Sequence, residues 1–260
     1  MQPEEIARLE HQKPTSPHTV LTCMRRLMTA LLFLIVTGAV ALLLGTRREV
    51  ATAPVMNDAV TRVVVLGDSV ARGAGDEKGL GLPGWLNHDL RAKAARPASI
   101  LNLGINGGRT LNVARLFQEP RARHSIAQAD LVVMSIGGND LYGDSLARLL
   151  TNFWPWYQRE RTISKVESLV AQVRQINPRA RIYILGLYNP YQASRVGQWI
   201  DVQVNLWDGA LIQRLSEMRG VTVIRIADVL ARADRLSTID HFHPGTLGYA
   251  AIARRIADTF

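Results

Sequence analysis

The stretch VVVLGDSVARG, residues 63–73, runs four apolar residues directly into Gly67, Asp68 and Ser69. A short β-branched run of this kind predicts a strand buried on both faces, as strands are in parallel sheets covered by helices. In such sheets, functional residues collect at the carboxyl ends of the strands. A serine at this position can therefore cap the helix that follows it, or its hydroxyl can act as a nucleophile.

Short β-branched runs recur along the chain, and stretches that favour helix separate them. The predicted strands are residues 61–67, 98–104, 129–138, 180–188 and 221–227. The predicted helices between them are residues 84–95, 111–119, 163–177 and 199–218. Because strands and helices alternate, the sequence predicts an α/β fold in which a parallel sheet is covered on both faces.

Three of the predicted strands end in glycine beside polar side chains. These ends are GDS (67–69), NLGING (102–107) and GGND (137–140). Glycine lets the backbone turn sharply or approach a ligand closely, so a hydroxyl, backbone amides and a carboxamide would meet at one edge of the sheet. Taken singly, each feature also fits a structural role, with Ser69 as a helix cap, Asn139 in a turn and Gly104 as a strand end.

Near the C-terminus, Asp240 precedes His243 by three residues. A general base needs one ring nitrogen towards the nucleophile and an acceptor on the other, and a carboxylate at this spacing can be that acceptor. Ser69, Asp240 and His243 are therefore a candidate catalytic triad. His241 has no such partner and is expected to be a solvated loop residue.

No cofactor or metal site is expected. The remaining histidines have no clustered ligands, and one Asp-x-x-His pair does not make a metal site. GLGLPG, residues 79–84, matches the dinucleotide fingerprint G-x-G-x-x-G in form. It lies well beyond the first strand and contains a proline, whereas the fingerprint follows a strand directly. The segment is predicted to be a loop that leads into a helix near Trp85.

Together these segments resemble the four motif blocks of the SGNH (GDSL-type) esterase/lipase family, in order and at family spacing, over roughly residues 60–260. The blocks are Gly67-Asp68-Ser69-Val70, Gly104 within NLGING, Gly137-Gly138-Asn139-Asp140 and Asp240-x-x-His243-Pro244. The resemblance implies a three-layer α/β/α sandwich with a five-stranded, flavodoxin-like parallel sheet. Val70 and Gly245 depart from the usual motifs, and neither touches a reacting atom.

Carried over residue by residue, the resemblance implies ester hydrolysis through an acyl-serine intermediate. Ser69 would be the nucleophile, His243 the general base and Asp240 the acid that orients it. The oxyanion hole would consist of the backbone N–H groups of Ser69 and Gly104 and the side-chain amide of Asn139. These roles suit the chemistry, since a serine hydroxyl needs a base to accept its proton and the resulting oxyanion needs donors already in place.

The N-terminal part of the chain contains 19 uncharged residues, 27–45, with paired arginines on both sides. Such a stretch is long enough to span a bilayer, which takes about 20 apolar residues. A cleaved signal peptide is the closest alternative, since Ala51-Thr52-Ala53 has the form of a cleavage site. The length of the stretch and the arginines after it favour an uncleaved signal-anchor. We predict a cytoplasmic tail (1–26), a transmembrane signal-anchor (27–45), a linker (46–60) and an extracytoplasmic hydrolase domain (61–260).

The charge and the cysteine content limit which partners and which cross-links the sequence predicts. The chain carries 31 Lys and Arg against 22 Asp and Glu, a net charge of +9, but the surplus forms no basic run. Nucleic acid binding is therefore not predicted. Cys23 is the only cysteine, which excludes an intramolecular disulfide. The expected partners are the membrane and a small-molecule or envelope ester.

Two aromatic-rich stretches, residues 152–160 and 187–199, follow the third and fourth predicted strands. They can line an acyl or sugar pocket, touch a bilayer or simply pack a loop onto the body. The favoured hypothesis is a membrane-anchored serine esterase that acts on lipid, acyl or acetyl esters. The alternatives are an acyltransferase and a non-catalytic module that binds envelope ligands.

Overall fold

The computed structural model describes residues 61–94, 98–143 and 156–259, and within them five parallel strands form one sheet. The strands are β1 Thr61–Gly67, β2 Ala98–Gly104, β3 Leu131–Ser135, β4 Arg181–Leu185 and β5 Val221–Ile224. Their order in the sheet is β2-β1-β3-β4-β5, the flavodoxin-like order. The end of β1 therefore lies between the ends of β2 and β3, where the strand order reverses.

Helices cover both faces of the sheet. The described helices are α1 Ser69–Arg72, α2 Gly81–Ala94, α3 Thr110–Leu116, α4 Pro120–Ala127, α5 Gly138–Tyr142, α6 Trp156–Ile176, α7 Gly197–Leu215 and α8 Thr246–Asp258. A short 3-10 helix, Ala233–Arg235, precedes α8.

Alternate residues of β1 enter two separate cores. Val63 and Val65 lie in the core covered by α1, α2 and α8, whereas Val64 and Leu66 lie in the core covered by α3, α4, α6 and α7. Successive side chains of a strand point to opposite faces, and here both faces are buried, so the run is apolar at every position. This arrangement confirms the predicted three-layer α/β/α sandwich with a five-stranded parallel sheet.

Several boundaries differ from those predicted, among them those of β3, α2 and α6. β3 ends at Ser135 instead of residue 138, because Gly137 adopts φ 109° and caps α5. The GGND segment therefore opens a helix. The loop predicted at residues 79–84 is shorter, because α2 begins at Gly81, whose N–H donates to Asp76 Oδ2 at 2.7 Å. Helix α6 begins at Trp156, seven residues earlier than the predicted 163.

The predicted tail, signal-anchor and linker, residues 1–60, lie outside the described residues, as do residues 144–155 with part of the first aromatic-rich stretch. Within the described residues, no helix is both long enough and apolar enough to cross a bilayer. The signal-anchor at residues 27–45 stays a prediction.

Candidate active site

Ser69 is the first residue of α1 and follows β1 almost directly. Gly67 has φ 131°, and a Cβ at this position would lie 1.8 Å from the Ser135 carbonyl oxygen, so glycine is required where β1 leaves the sheet beside β3. Asp68 caps α1 by accepting the Val70 N–H on its Oδ1 at 3.0 Å. Because Asp68 and not Ser69 is the cap, the Ser69 hydroxyl is available for another contact.

The Ser69 hydroxyl contacts His243, and the three residues of the predicted triad form one hydrogen-bonded series. The Ser69 Oγ lies 2.8 Å from His243 Nε2, and His243 Nδ1 lies 2.6 Å from Asp240 Oδ2. The other carboxylate oxygen of Asp240 accepts the backbone N–H groups of Phe242 and His243 at 2.9 and 3.0 Å. One carboxylate thus orients both the imidazole and the backbone that carries it.

Asp240 is held in its charged form. Partial burial raises the pKa of its carboxyl, but the hydrogen bonds from the His243 side chain and from the two backbone N–H groups outweigh burial and lower the pKa below the usual value. An ionised carboxylate at this position favours the imidazolium that forms when His243 accepts the serine proton.

Packing also restricts the position of the His243 imidazole. Gly75 has φ 89°, and a Cβ there would lie 2.6 Å from the His243 Cβ. The Phe242 ring meets the imidazole edge-on, with the ring centres 5.1 Å apart. His241 is exposed and its N–H donates to the Ser237 carbonyl at 3.0 Å, which is the loop position expected for it.

Asn139, an expected oxyanion donor, lies near the start of α5 and lines the same pocket as Ser69. Its Nδ2 donates one hydrogen to the Gly108 carbonyl at 2.9 Å, and no other described residue accepts from this amide, so its second hydrogen is available to a ligand. The neighbouring Asp140 accepts the N–H and hydroxyl of Thr110 at 2.9 and 2.7 Å. The GGND segment therefore supplies a donor and also ties α5 to the start of α3.

Gly104 does not fit the role expected for it. Its N–H donates to Asn102 Oδ1 at 2.8 Å, so this donor is already engaged within the protein. A Cβ at Gly104 would lie 2.2 Å from the Arg72 nitrogen. The glycine is therefore needed for the close packing of β2 against α1.

Gly107 is the better candidate for a second backbone donor. It occupies a turn closed by the Gly108 N–H and the Ile105 carbonyl at 2.8 Å, it has φ 70°, and its own N–H has no acceptor among the described residues. The turn lies beside the nucleophile, since a Cβ at Gly108 would be 3.3 Å from the Asp68 Cα. The sequence signal was the second glycine of NLGING, which stands beyond the strand end and not within it.

A small pocket opens beside Ser69, with a volume of about 40 Å³. Its walls come from the ends of β1, β3 and β4 and from two residues further along the chain, Ile226 and Phe242. Leu187 and Tyr188, which belong to the second aromatic-rich stretch, form part of it. Within the described residues, no group of three or more His, Cys, Asp or Glu side chains is placed to hold a metal ion.

Two buried carboxyls, those of Asp68 and Asp208, lie at the pocket wall or directly behind it. Burial raises the pKa of Asp68 to about 6, against the opposing hydrogen bonds from Ser135 and from the first turn of α1. Burial likewise raises the pKa of Asp208 to about 6, although the Leu187 N–H donates to it and Arg225 lies near it. Both carboxyls bond to backbone that forms the pocket wall, so they act on its shape.

A hydroxyl, an imidazole and a carboxylate in hydrogen-bonded series, with amide donors beside the hydroxyl, define a serine hydrolase. Comparison with protein families agrees: the model of the GDSL-like Lipase/Acylhydrolase family matches residues 65–251. The chain belongs to this family and is an ester-hydrolysing serine hydrolase, as the sequence predicted.

Known proteins resemble the chain over most of its length. The uncharacterised protein YpmR of Bacillus subtilis (strain 168) is 27% identical over 206 residues, which are 75% of this chain and 79% of YpmR. The lipase Lip_vut3 from a goat rumen metagenome has a similar structure, with a TM-score of 0.64, 21% identity and coverage of 76% of this chain and 97% of that one. The acetylxylan esterase Axe2 of Geobacillus stearothermophilus has a TM-score of 0.55 and 16% identity, with coverage of 77% and 94%.

Proposed function

We propose that this protein is a membrane-anchored serine esterase that hydrolyses short-chain carboxylic esters outside the cytoplasm. The observation that carries the proposal is the hydrogen-bonded series from the Ser69 hydroxyl through His243 to Asp240. Both contacts have the distances of good hydrogen bonds, so the base is within reach of the proton it must accept.

In the first half of the reaction, the Ser69 Oγ attacks the ester carbonyl carbon while His243 Nε2 accepts the hydroxyl proton. The carbonyl oxygen becomes an oxyanion, which the Ser69 N–H, the free Asn139 amide hydrogen and the Gly107 N–H are suited to bind. The intermediate then breaks its bond to the alcohol oxygen, and His243 returns the proton to that oxygen. The products are a free alcohol and an acyl-serine.

The second half repeats these steps with water. His243 accepts a proton from a water molecule as the water oxygen attacks the acyl carbon. The intermediate then expels the Ser69 oxygen, which regains a proton from His243. The carboxylic acid leaves, and the side chains return to their starting state with no cofactor consumed.

The size of the pocket supports a short acyl group. A pocket of about 40 Å³ holds about three water-sized groups, taking roughly 10–15 Å³ for each. An acetyl group, with two carbons and one oxygen, fits this space. Axe2, one of the structural neighbours, is an acetylxylan esterase, which is consistent with an acetyl ester as substrate.

The membrane anchor and the extracytoplasmic location rest on the sequence. Residues 27–45 are uncharged and are flanked by arginines, and the N-terminal tail carries further basic residues, which favours a cytoplasmic N-terminus. An alkaline phosphatase fusion after residue 60 is expected to be active, and a fusion of green fluorescent protein at the same point is expected to be dark. The opposite pattern would place the hydrolase domain in the cytoplasm.

The catalytic proposal is tested on the full chain in detergent, with a fluorophosphonate probe and p-nitrophenyl acetate, butyrate and octanoate. We expect labelling and turnover in the wild type and in Ser216→Ala, which removes an exposed hydroxyl at the end of α7. Ser69→Ala is expected to lose both while it remains folded. Labelling that persists in Ser69→Ala would show that the nucleophile is another residue.

The same experiment separates the two alternatives. A non-catalytic binding module would give neither labelling nor turnover in a folded wild-type chain. An acyltransferase would be labelled, but with a supplied alcohol acceptor it would yield a new ester in place of the free acid. We expect the free acid to be the main product, since the mechanism requires only water to resolve the acyl-serine.

A further inference from the structure

Two members of the triad lie on one irregular surface segment, residues 237–245, which we call the catalytic loop. It lies between the 3-10 helix and α8, and it contains both Asp240 and His243. Its exposed position is clearest at Ile239, which is 69% exposed. Backbone hydrogen bonds close the base of the loop, from the Ser237 N–H to the His243 carbonyl at 2.8 Å and from the Gly245 N–H to the Arg235 carbonyl at 2.9 Å. The position of the imidazole depends on these bonds and on the side chains that contact the two ends of the loop.

In addition to these backbone bonds, one side chain accepts hydrogen bonds from both ends of the loop. Glu77 Oε1 accepts the Thr238 N–H at 2.8 Å and the Thr238 hydroxyl at 3.2 Å. Its other oxygen, Oε2, accepts the Thr246 N–H at 2.7 Å. Thr238 stands two residues before Asp240, and Thr246 stands three residues after His243. A single carboxylate therefore bridges the two ends of the catalytic loop.

A charged acceptor is well suited to this position. Thr246 is the first residue of α8, and the preceding residue, Gly245, provides no side-chain cap. The carboxylate therefore serves as the cap from another part of the chain, where the helix dipole favours negative charge. The N–H bond from Thr238 contributes most to lowering the pKa of Glu77 to about 2. Glu77 thus remains ionised throughout the pH range in which an esterase works.

Glu77 is itself held in place by its neighbour. Asp76 is buried and accepts the Thr246 hydroxyl at 2.6 Å, the Gly81 N–H at 2.7 Å and the Trp85 indole N–H at 3.1 Å. These bonds join the segment that carries Glu77 to α2 and to the start of α8. The hydrogen bonds of Asp76 therefore fix the position of the segment that carries Glu77, and with it the carboxylate that bridges the catalytic loop.

We propose that Glu77 is a positioning residue of the active site, which keeps Asp240 and His243 in register with Ser69 by joining the two ends of the catalytic loop. This inference rests on the proposed esterase function. The three residues of the triad retain their chemical roles, and Glu77 contacts none of the reacting atoms. Its contribution is the geometry that makes the Ser69 hydroxyl and the imidazole meet.

The test compares Glu77→Ala, Glu77→Gln and the control Glu217→Ala in the full chain in detergent. Glu217 is also an exposed glutamate, and its side chain makes no hydrogen bond or ion pair with any of the residues that the structure describes. Exhaustive fluorophosphonate labelling counts the competent sites in each sample, and p-nitrophenyl acetate hydrolysis then gives kcat per labelled site and KM. This normalisation matters, because a merely structural role would lower the number of sites and leave the rate per site unchanged.

We expect Glu77→Ala to lower kcat per labelled site about tenfold with little change in KM, since small displacements of reacting groups cost rate more than binding. Glu77→Gln keeps an acceptor oxygen for one end of the loop and is expected to lose about threefold. Glu217→Ala is expected to match the wild type.

A rate per labelled site within twofold of the wild type in Glu77→Ala would overturn the inference. If Glu77→Ala is not recovered in folded form, the same criterion applied to Glu77→Gln decides. A wild-type chain that neither labels nor hydrolyses the ester would instead refute the esterase function, which is a different result.

Discussion

Asp208 offers a direct test of how the pocket wall is built. It lies on α7 with no exposed surface, and its Oδ1 accepts the Leu187 N–H at 3.1 Å, while Arg225 Nε donates to Oδ2 at 3.4 Å. Burial raises its pKa from 3.8 to about 6. Asp208→Asn keeps the acceptor for Leu187, removes the charge and loses the acceptor for Arg225.

The direction in which the stability of the wild type changes with pH follows from proton binding by Asp208. Between about pH 4 and pH 6 the folded state binds this proton and the unfolded state does not, so the free energy of unfolding of the wild type falls as the pH rises. A shift of about 2 pKa units corresponds to about 3 kcal/mol, at about 1.4 kcal/mol per unit. This cost is complete above pH 6 and absent below pH 4. Asparagine does not titrate and therefore avoids it.

The lost bond to Arg225 costs about 1 kcal/mol at every pH. Asp208→Asn is therefore expected to be about 2 kcal/mol more stable than the wild type at pH 7.5 and about 1 kcal/mol less stable at pH 4. Urea denaturation of residues 49–260 at several pH values measures this, with Glu217→Gln as the control for an exposed acid. A stability difference that stays constant across this pH range would refute the assignment of a buried, proton-binding Asp208.

Three further predictions concern the site. Asn139→Ala is expected to lower kcat for p-nitrophenyl acetate about 100- to 1000-fold, as loss of an oxyanion donor does, and a loss below tenfold would remove Asn139 from that role. Leu187→Ala enlarges the acyl pocket and is expected to raise the ratio of butyrate to acetate turnover; an unchanged ratio would mean that Leu187 does not limit acyl length. Gly67→Ala places a methyl group 1.8 Å from the Ser135 carbonyl, so circular dichroism is expected to show a lower melting temperature than for Gly79→Ala. Gly79 also has a positive φ, 68°, but a Cβ there meets no described atom within 4 Å, so the comparison isolates the clash with Ser135.

The sequence predicted the parts of this protein that depend on local pattern. The bounds of β1 and β2 match the predicted residues, because an apolar run that ends in glycine marks a strand between two helical layers. The proximity of Ser69, Asp240 and His243 was also predicted, since a strand-end serine followed by an Asp-x-x-His pair is a workable order for a candidate triad. The structure places the His243 imidazole within hydrogen-bond distance of both the Ser69 hydroxyl and the Asp240 carboxylate.

Side-chain rotamers and contacts between distant segments were not predictable in the same way. The engagement of the Gly104 N–H depends on the rotamer of Asn102, and the bridge made by Glu77 joins residues more than 160 positions apart. Charge runs and periodicity contain no information about such pairs. Glu77 lies in a segment whose composition is that of an ordinary polar loop, and only the fold brings it to the catalytic loop.

The glycines at the strand ends also depend on contacts that the local sequence does not show. In the sequence, Gly137 is read as a turn or as an approach point for a ligand. In the structure, a Cβ at Gly137 would lie 2.8 Å from the Trp207 ring, and a Cβ at Gly186 would lie 2.5 Å from Asp208 Oδ1. Trp207 and Asp208, adjacent residues of α7, therefore pack closely against the backbone after β3 and after β4, which forms two of the walls of the acyl pocket. The glycines are needed because helix α7 packs there, so a helix behind the edge of the sheet contributes to the position of two pocket walls.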